Sequence, residues 1–316
     1  MINIKYTAII VTHNREQLLR ECVDCVRNQS IPPDSIIIVN NASTDNTNVY
    51  LNTLKTQGEI FDIIDLSQNL GGAGGFARGL TRALEKNVDC VLLIDDDAII
   101  TKEYMERILE KRQQYPKYKA FAGTVKTNNN IDTSHRRNLS HIGLKSKKCD
   151  EHNYRCDCFL CDIASFCGMV IDINLIRKIG LPHEEYFIWY DDTEYSFRIH
   201  QYSRFLVVTK AELNHKTNLN INLYPRRYDW KEYYAIRNRL LMVKEHGNLI
   251  DRIVNFIDLF IHVVFRNWLF GMIKRDGYDW KYEKDLVKKA ISNYKRSKME
   301  NIILKRKNCN KVIINK

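Results

Sequence analysis

The sequence predicts an α/β fold with a mostly parallel central sheet flanked by helices, followed by a helical, basic C-terminal region. The first half of the chain alternates short β-branched runs with segments long enough for helices. A polar loop follows each of these runs, and after about residue 200 the alternation gives way to longer helical patterns. Buried strands that alternate with helices are typical of right-handed βαβ units, whose strands run parallel.

Four apolar runs are the predicted strands of this sheet. They are Tyr6–Val11, Ser35–Asn40, Phe61–Leu66 and Cys90–Asp95. The loops that follow them read "THNRE", "NNASTDNT", "SQNLGGAGGFARG" and "DDD". Ligands bind open sheets of this kind at the carboxyl ends of the strands. We therefore expect the four loops to form one pocket, since solvated turns would explain Asn, Ser and Gly but not three adjacent carboxylates.

The acidic triplet Asp95-Asp96-Asp97 ends the fourth predicted strand. Like charges this close raise one another's pKa values and are costly unless a cation or a hydrogen-bond network compensates them. Asp95 and Asp97 have the spacing needed to face one oxygen-preferring divalent cation that also contacts substrate phosphates. The alternative is a solvated acidic turn that contains a helix-capping aspartate.

The glycine-rich stretch "GGAGGFARG" matches neither the P-loop spacing nor a dinucleotide fingerprint placed directly after the first strand. Its glycines at positions 71, 72, 74 and 75 indicate a helix start where the backbone approaches a ligand and where amide groups favour anions. A plain flexible turn is the competing interpretation.

A second group of candidate residues lies in "FIWYDDTEYSFRI". If Asp191–His200 is helical, Asp191, Glu194 and Arg198 lie along one face and Asp192 points elsewhere. Four aromatic residues precede these acids: Tyr186, Phe187, Trp189 and Tyr190. Aromatic surface beside carboxylates suits sugar rings, and partial burial tunes the pKa of a neighbouring carboxylate. The alternative is an Asp cap with a surface ion pair.

Two helices are predicted in the C-terminal region, Tyr228–Gly247 and Asn248–Arg275. Polar residues recur along the second one at Asp251, Asn255, Asp258, His262 and Arg266. Such a stripe on an apolar cylinder argues against a membrane-spanning helix and for an amphipathic one. Together with Trp268, Phe270 and the lysines that follow, this pattern predicts a helix that lies on an anionic membrane surface. The alternative is a helix that packs in the core or against another subunit.

Composition narrows the class of protein. The 316-residue chain is 44% hydrophobic, enough for a substantial core, and its net charge of +11 is concentrated at the C-terminal end. Neither a zinc finger nor an RNA-recognition motif accompanies the basic end, which argues against nucleic acid as a partner. The N-terminus does not have the pattern of a signal peptide, so we expect a cytoplasmic protein.

The nine cysteines are therefore expected to be thiols rather than a disulfide framework. Cys149, Cys156, Cys158 and Cys161 could in principle bind zinc. Their spacing does not contain the paired short knuckles of common structural sites, which favours buried thiols.

Taken in order, the motifs "VTHNR", "VNNASTDNT", "NLGGAGGFARG", "LLIDDD", "FCGMVI", "WYDDTEYSFR" and "NHKT" resemble those of family 2 inverting glycosyltransferases of the GT-A fold. The resemblance covers roughly residues 5–220. The glycine-rich stretch, "WYDDTEYSFR" and "YYAIRNRL" are most similar to those of bacterial galactofuranosyltransferases. The resemblance implies a GT-A catalytic domain over residues 1–222 and a basic helical region over residues 223–316 that contacts a membrane or another subunit.

The resemblance also implies roles for single residues. Asp95, Asp97 and His215 would hold Mn²⁺ or Mg²⁺, Asp192 would be the general base, and the acceptor would contact Trp189, Asp191 and Glu194. The nucleotide-sugar donor would be bound by Thr12, Asn14, Arg15, Asn41, Asp45, Asn69, Gly71, Gly72, Arg78 and Asp96. One departure concerns the nucleotide base, because family members often carry Asp in the second loop where this chain has Asn40 and Asn41.

The expected activity is metal-dependent, inverting transfer of galactofuranose from UDP-galactofuranose to a glycan acceptor. The acceptor is expected to be lipid-linked, at the inner face of the membrane, in the synthesis of a bacterial cell-surface polysaccharide such as O-antigen or capsule. UDP-galactose, UDP-glucose and dTDP-rhamnose are alternative donors. A nucleotidyltransferase and a non-enzymatic polyanion-binding module are the rivals from other classes, and a homo-oligomer is possible.

Overall fold

The computed structural model describes residues 4–216, 230–265, 268–269 and 280–295. The chain divides into two compact units. Of the described residues, the first unit takes 4–139, 146–184 and 192–216. The second takes 140–145, 185–191 and everything from 230 onward.

The first unit is built on a mixed sheet that begins with the four predicted strands. These are β1 (Tyr6–Thr12), β2 (Ser35–Asn40), β3 (Phe61–Asp65) and β4 (Cys90–Asp95), each within one residue of its predicted end. β1 pairs in parallel with β2 and β4, and β2 pairs in parallel with β3. Their carboxyl ends therefore meet at one edge, as predicted.

The other strands of this unit are β5 (Ala98–Ile100), β6 (Ala120–Thr127), β7 (Asn130–Ile131), β8 (Arg136–Leu139), β9 (Ser146–Lys148), β10 (Cys158–Cys161), β11 (Ile163–Ala164), β12 (Met169–Asp172) and β13 (Phe205–His215). The large sheet has the order β10-β13-β6-β12-β4-β1-β2-β3. β12 runs antiparallel to both of its neighbours, β4 and β6. β11, β8 and β9 form a small separate sheet.

Helices cover both faces of the large sheet. They are α1 (Glu16–Arg27), α2 (Thr47–Lys55), α3 (Gly71–Ala83), α4 (Tyr104–Gln114), α5 (Ile173–Ile179) and α6 (Asp191–His200). Successive strand residues divide between the two faces: Leu92 and Ile94 belong to the core that contains α1 and α4, whereas Val91 and Leu93 belong to the core that contains α3 and α5. Burial on both sides explains why these strands are continuously apolar.

The second unit contains α7 (Lys231–His246), α8 (Leu249–Leu259) and α9 (Trp280–Lys295), with a π-helical stretch, Phe260–Phe265, directly after α8. The two predicted C-terminal helices are confirmed over their described parts. Residues 228–229, 266–267 and 270–275 of those predictions lie outside the described chain. Aromatic and aliphatic side chains of α7 and α9 form the core of this unit, with Tyr233, Tyr234 and Leu286 fully buried.

Helix α8 has its polar stripe turned inward. The Asp251 carboxylate accepts a hydrogen bond from the Gly143 amide (2.6 Å), and Asn255 donates to the Gly143 carbonyl (2.6 Å). Asp258 forms ion pairs with Arg239 (2.7 Å) and Lys145 (2.6 Å). Asp251 and Asn255 are 6% and 2% exposed. The polar stripe is therefore used within the unit rather than presented to water.

The opposite face of α8 and its π-helical extension is apolar and exposed. Its exposed residues are Leu249, Ile250, Ile253, Phe256, Ile257, Phe260, Ile261 and Phe265, with Trp268 beyond them. Their exposed fractions lie between 47% and 72%. The predicted members His262 and Arg266 have side chains outside the described part of the chain. Among the described helices, none combines the length and apolar character needed to cross a bilayer.

Candidate active site

The acidic triplet at the end of β4 is the centre of a network at the carboxyl edge of the sheet. Asp96 accepts hydrogen bonds from the Thr12 hydroxyl (2.7 Å) and from Arg15 (3.1 Å). Arg15 also donates to Asp97 (2.7 Å) through the same Nη1 atom. Asp96 and Asp97 are 3% and 6% exposed. The loops after β1 and β4 thus meet as the sequence predicted, and Arg15 compensates part of the acidic charge.

His215 completes the network from a distant part of the sequence. β13 pairs antiparallel with β5, and this register places His215 opposite Ala98, the residue after the triplet. The His215 Nε2 atom lies 3.2 Å from Asp97 Oδ1, and the Lys216 amide donates to the Asp97 carbonyl (2.8 Å). Strand pairing therefore brings residues 214–216, the described part of the motif "NHKT", to the acidic triplet.

The three carboxyl groups differ in their affinity for protons. Burial raises the pKa of Asp95 to about 7, and the charge of Asp97 adds to this effect. Burial raises the pKa of Asp96 to about 6 against the opposing charge of Arg15. Burial also acts upward on Asp97, but its hydrogen bond with His215 and the nearby positive charges outweigh it, so the pKa of Asp97 is lowered. Of the three carboxylates, Asp95 is thus the one whose negative charge the neighbouring groups compensate least.

The residues at this edge fit a divalent cation. Within the described part of the chain, the Asp95 carboxylate has no hydrogen-bond donor. The His215 Nδ1 atom is buried and has no hydrogen-bond partner among the described residues. Two carboxylates and one imidazole form a donor set that suits Mn²⁺ and, through the oxygens, Mg²⁺. Asp95, Asp97 and His215 are therefore the candidate ligands.

The loops after β1 and β2 are tied to each other by their asparagines. The Asn14 amide N–H donates to the Ser43 hydroxyl (3.0 Å), and the Asn14 side chain accepts from Thr44 (2.6 Å). Asn41 donates to the Gly71 carbonyl (2.8 Å) and accepts from the Leu70 amide (2.8 Å). Both ends of the Asn41 amide thus form hydrogen bonds within the protein and tie the second loop to the start of α3; the predicted contact of Asn41 with the donor stays a prediction.

Asp45 and Asn69 also cap backbone amides. Asp45 accepts from the amides of Glu16 (3.3 Å) and Thr47 (3.1 Å), at the starts of α1 and α2. Asn69 accepts from the Gly71 amide (2.8 Å) at the start of α3. The structure places both residues at helix N-termini, where they hold the loops that surround the candidate site.

The glycines of α3 are explained largely by close packing on the sheet. A Cβ atom at position 75 would collide with Val11, and one at position 79 would collide with Ile9. Only Gly71, with φ of 71°, needs the backbone freedom of glycine. Close helix–strand packing was an explanation that the sequence interpretation did not consider. The predicted donor residue Arg78 lies on the same helix and pairs with Glu184 (3.0 Å).

Asp192 lies in the first turn of α6, and the predicted helix Asp191–His200 is confirmed residue for residue. The Thr193 hydroxyl donates to Asp192 Oδ1 (2.9 Å). Arg137 donates to the Thr193 hydroxyl (2.8 Å), and its Nη2 atom lies 3.9 Å from Asp192 Oδ1. The carboxylate is 23% exposed. Asp192 is thus oriented by its neighbours and remains accessible to an acceptor.

The two units divide the predicted acceptor residues. Trp189 and Asp191 belong to the second unit, and Glu194 belongs to the first. Glu194 is 1% exposed and forms two contacts of 2.8 Å with Arg198, which also donates to the carbonyls of Ile179 and Leu181. A carboxylate buried in this way anchors the helix, so its structural use differs from the predicted acceptor contact.

Two residues at the site carried no recognisable sequence motif. Asp65, at the end of β3, accepts from Asn40 (3.0 Å) and pairs with Lys55 (3.1 Å), with its side chain 49% exposed. His135 packs edge-on against His215, with 5.1 Å between the ring centroids, and its Nδ1 atom lies 2.7 Å from the Ser165 hydroxyl. Burial and nearby Arg136 lower the pKa of His135 to about 3, which keeps it neutral beside His215.

The cysteines have the predicted state. The eight that the structure describes are all free thiols. Among the described residues, Cys149, Cys156, Cys158 and Cys161 do not form a group of three or more thiols close enough to hold one metal ion. The zinc alternative therefore has no support in the described part of the chain.

Sequence comparison identifies relatives of known activity. A family model described as "Glycosyl transferase family 2" matches residues 7–180, more than half of the chain. The chain is 39% identical over 90 residues to galactofuranosyltransferase GlfT1 of Mycolicibacterium smegmatis, an alignment that covers 28% of this chain and 29% of the relative. It is 32% identical over 106 residues to the poly(ribitol-phosphate) beta-glucosyltransferase of Bacillus spizizenii, covering 33% of this chain and 16% of the relative.

Solved structures share the fold at low sequence identity. The structure of GalNAc-T7 with UDP, GalNAc and Mn²⁺ superimposes with a TM-score of 0.61 at 13% identity, covering 76% of this chain and 48% of that protein. Residues 1–349 of Staphylococcus aureus TarS in complex with UDP-GlcNAc give a TM-score of 0.56 at 15% identity, covering 92% and 80%. These likenesses establish the GT-A fold predicted from the sequence.

Proposed function

Because the chain belongs to glycosyl transferase family 2, we propose that it is a metal-dependent, inverting enzyme that transfers galactofuranose from UDP-galactofuranose to a glycan acceptor. The observation that carries the proposal is the position of the acidic triplet at the carboxyl edge of the sheet, where strand pairing places the His215 Nε2 atom 3.2 Å from Asp97 Oδ1. In a family 2 chain, this is where a nucleotide diphosphate and its cation would bind. The catalytic domain is proposed to span residues 1–222.

The cation would be Mn²⁺ or Mg²⁺, held by the two carboxylates and the imidazole. When bound, it would neutralise charge on the diphosphate and so stabilise the leaving group. Arg15 now forms the ion pairs that partly balance Asp96 and Asp97. With a cation in place, its guanidinium group, half exposed, would be able to turn to the donor phosphates.

The transfer itself needs one base. Asp192 would accept the proton of the acceptor hydroxyl while the hydroxyl oxygen forms a bond to the anomeric carbon of the donor sugar. The bond between that carbon and the diphosphate oxygen would break on the opposite face, and UDP would leave with the bonding electrons. Thr193 and Arg137 would hold the Asp192 carboxylate in one orientation. A single displacement inverts the configuration at the anomeric carbon.

The donor is proposed from sequence similarity and from the loop chemistry. The GlfT1 relative is named a galactofuranosyltransferase, and the alignment with it covers 90 residues. Exposed Asp65 offers an acceptor for the N–H group of a uracil base near the second loop, where family members often have Asp and this chain has Asn40. The beta-glucosyltransferase relative makes UDP-glucose the second candidate donor. UDP-galactose and dTDP-rhamnose are further alternatives.

The donor can be identified directly. The purified protein would be incubated with a panel of nucleotide sugars and Mn²⁺, and binding and slow hydrolysis would be measured for each. UDP-galactofuranose is expected to bind most tightly and to release UDP. Release of pyrophosphate from a nucleoside triphosphate would instead support a nucleotidyltransferase. Polyanion binding that persists in the Asp95, Asp97 and Asp192 variants, without any nucleotide-sugar turnover, would support a binding module.

The acceptor is proposed to be lipid-linked and met at an anionic membrane, in the synthesis of a bacterial cell-surface polysaccharide. The support is the exposed apolar face of α8, together with exposed lysines 281, 284 and 288 on α9 in the same unit. An exposed apolar helix face in a unit that also carries exposed basic residues is typical of proteins that bind anionic membrane surfaces. The protein would then be cytoplasmic and peripheral on the inner face of the membrane.

Vesicle sedimentation tests the membrane contact. Vesicles that contain anionic lipid should bind the protein at low ionic strength, and binding should weaken as salt rises because the Debye length shortens. The double variant Ile253→Ser/Phe256→Ser should lose most of this binding. Val49→Ser, at an equally exposed apolar residue of α2, serves as the matched control. If the protein instead forms a stable dimer that buries the α8 face and does not bind vesicles, the partner of this face is a second copy of the chain and not a membrane.

A further inference from the structure

The segment of residues 185–190, in the second unit, has an unusual backbone. Phe187, Trp189 and Tyr190 have φ values of 63°, 62° and 65°. Residues with a bulky side chain rarely adopt this left-handed region, and three within four positions, none of them glycine, is a costly arrangement. Such a backbone persists only where surrounding contacts hold it in place.

Two side chains of α7 supply those contacts. Asn238 Nδ2 donates to the carbonyl oxygens of Tyr186 (2.8 Å), Ile188 (3.1 Å) and Trp189 (2.8 Å). Arg237 Nη2 donates to the carbonyl of Glu185 (2.5 Å), and Arg237 Nε donates to Asn238 Oδ1 (3.0 Å). Both side chains are 0% exposed. Four backbone carbonyls of one short segment are thus held by a buried Arg-Asn pair.

Aromatic packing holds the middle of the segment against the same helix. The Phe187 ring stacks on Tyr234, with 5.0 Å between centroids and 21° between planes, and meets Trp230 edge-on at 6.2 Å. The Arg237 guanidinium lies over Tyr234, 4.9 Å from the ring centroid. The strained backbone is therefore fixed from α7 by hydrogen bonds and by stacking together.

We infer that Arg237 and Asn238 are positioning residues for the acceptor side of the reaction, an inference that rests on the proposed function. The segment they hold ends in Trp189 and Tyr190 and leads directly into Asp191 and the proposed base, Asp192. Holding four carbonyls fixes the backbone that carries the Trp189 side chain. The motif "YYAIRNRL", which the mechanism does not otherwise use, thereby acquires a role.

Two variants of Asn238 test this role. Asn238→Asp keeps the shape of the side chain but puts an oxygen where the amide nitrogen now faces three carbonyls. Asn238→Ala removes the side-chain amide and is used in case the charged variant does not fold. Asn293→Asp and Asn293→Ala are the matched controls. Asn293 is also a buried asparagine of the second unit, 7% exposed, and it donates to the Tyr233 hydroxyl (2.9 Å) instead of to the segment.

Three measurements are made on each full-length variant: amide hydrogen exchange over residues 185–191, donor affinity by calorimetry, and the kinetics of transfer. The Asn238 variants should exchange faster in that segment and lose about 10–100-fold in kcat/KM for the acceptor, because misplaced groups near the reacting atoms slow transfer strongly. Donor affinity should stay within about twofold, since no donor contact is removed. The Asn293 variants should behave like the wild type in all three.

The outcomes separate this inference from the proposed function. Unchanged exchange over residues 185–191 in the Asn238 variants would overturn the positioning role, and so would an equal loss of transfer in the Asn293 variants. If the wild-type protein transfers no sugar but the Asn238 variants exchange faster in the segment, the proposed function fails while the role of the pair in holding the segment stands.

Discussion

Two partly buried aspartates in different units show opposite electrostatic behaviour. Burial raises the pKa of Asp95, at the end of β4, to about 7. Burial acts in the same direction on Asp258 of α8, but hydrogen bonds from Lys145 and Arg239 outweigh it, so the pKa of Asp258 is lowered. The difference lies in the neighbours, because Asp258 has two cationic side chains in contact and Asp95 has Asp96 and Asp97 beside it.

The contrast distinguishes a carboxylate that stabilises the fold, Asp258, from one that is suited to bind a cation, Asp95. A buried charge with built-in partners stabilises the packing of its own helix, as Asp258 does for α8. A buried carboxylate that its own protein compensates poorly gains most from a bound cation. Asp95 and Asp258 should therefore respond differently to substitution, to pH and to an added cation.

The largest expected effect is on metal-dependent transfer. Asp97→Asn or Asp95→Asn should lower the rate by about 10⁴-fold or more, because each removes a ligand charge that stabilises the leaving diphosphate. Transfer assays with titrated Mn²⁺ measure this loss. As a control, Asp62→Asn removes a carboxylate of β3 that pairs with Lys86, and this variant should transfer at the wild-type rate. Full activity of the Asp95 and Asp97 variants in excess chelator would contradict a metal role.

The second-largest effect is expected at Asp192, the proposed base of the proton-transfer step. Asp192→Asn keeps the hydrogen bond with Thr193 but removes proton acceptance, so turnover should fall by about 10²–10⁴-fold. The affinity for the donor should change little, because the donor is held elsewhere. Calorimetry beside transfer rates separates the two effects. A normal rate for this variant with an inactive Asp191→Asn would reverse the assignment within the pair.

The pH dependence of stability should distinguish Asp95 directly. Since its folded pKa of about 7 lies above the ordinary value of 3.8, the folded chain retains a proton that the unfolded chain has released between pH 4 and 7. The stability of the metal-free protein should therefore fall as pH rises through this window, by about 1 kcal/mol for each unit of pKa difference. Asp95→Asn should flatten the fall, and added Mn²⁺ should stabilise the wild type most above pH 7.

Thermal unfolding from pH 4 to 8, with and without Mn²⁺, gives the required comparison between the wild type and Asp95→Asn. An identical pH profile for the two proteins would show that the pKa of Asp95 in the folded protein is not raised above its ordinary value. The cation would then no longer be needed to explain how the acidic triplet is stabilised.

The smallest expected effect concerns Asp258. Asp258→Asn should destabilise the protein by about 1–3 kcal/mol at neutral pH, because it leaves Lys145 and Arg239 without their shared counter-charge. Since the folded pKa of Asp258 is lowered, the loss should shrink as pH falls from about 4, where the unfolded carboxylate becomes protonated, through the lower folded pKa. Urea unfolding at two pH values measures it. Loss of transfer to a soluble acceptor without loss of stability would instead assign Asp258 to a functional site.

Much of the fold could be predicted from local patterns. β1, β2 and β4 are buried almost throughout and largely apolar, whereas β3 is a short, partly exposed strand; all four were located within one residue. The direction of β12 could not be predicted, because a buried strand has the same composition whether it runs parallel or antiparallel to its neighbours. Hydrophobic periodicity also found α8, yet it could not show that the polar stripe turns inward, since the partners of Asp251 and Asn255 lie at Gly143, far away in sequence.

The site was predictable where chemistry is concentrated in a few adjacent residues. The acidic triplet and the start of α6 are such places, and their positions in the sequence were found. The family resemblance assigned Asn41 to the donor and Glu194 to the acceptor. Their actual partners, the Gly71 carbonyl and Arg198, satisfy them within the protein, and such satisfaction depends on tertiary structure. His135 and Asp65 stayed unrecognised because single residues carry no spacing pattern.

The position of His215 at the end of β13 has a consequence for the order in which the enzyme is made. Asp95 and Asp97 leave the ribosome long before His215 does, and domains generally begin to fold from the N-terminal side during synthesis. A growing chain that has not yet reached β13 holds the acidic triplet with Arg15 but without the imidazole. Because α6 precedes β13 in the sequence, Asp192 is synthesised before His215. If Asp95, Asp97 and His215 hold the proposed cation, a nascent chain would complete its metal site only after the proposed base, Asp192, is present.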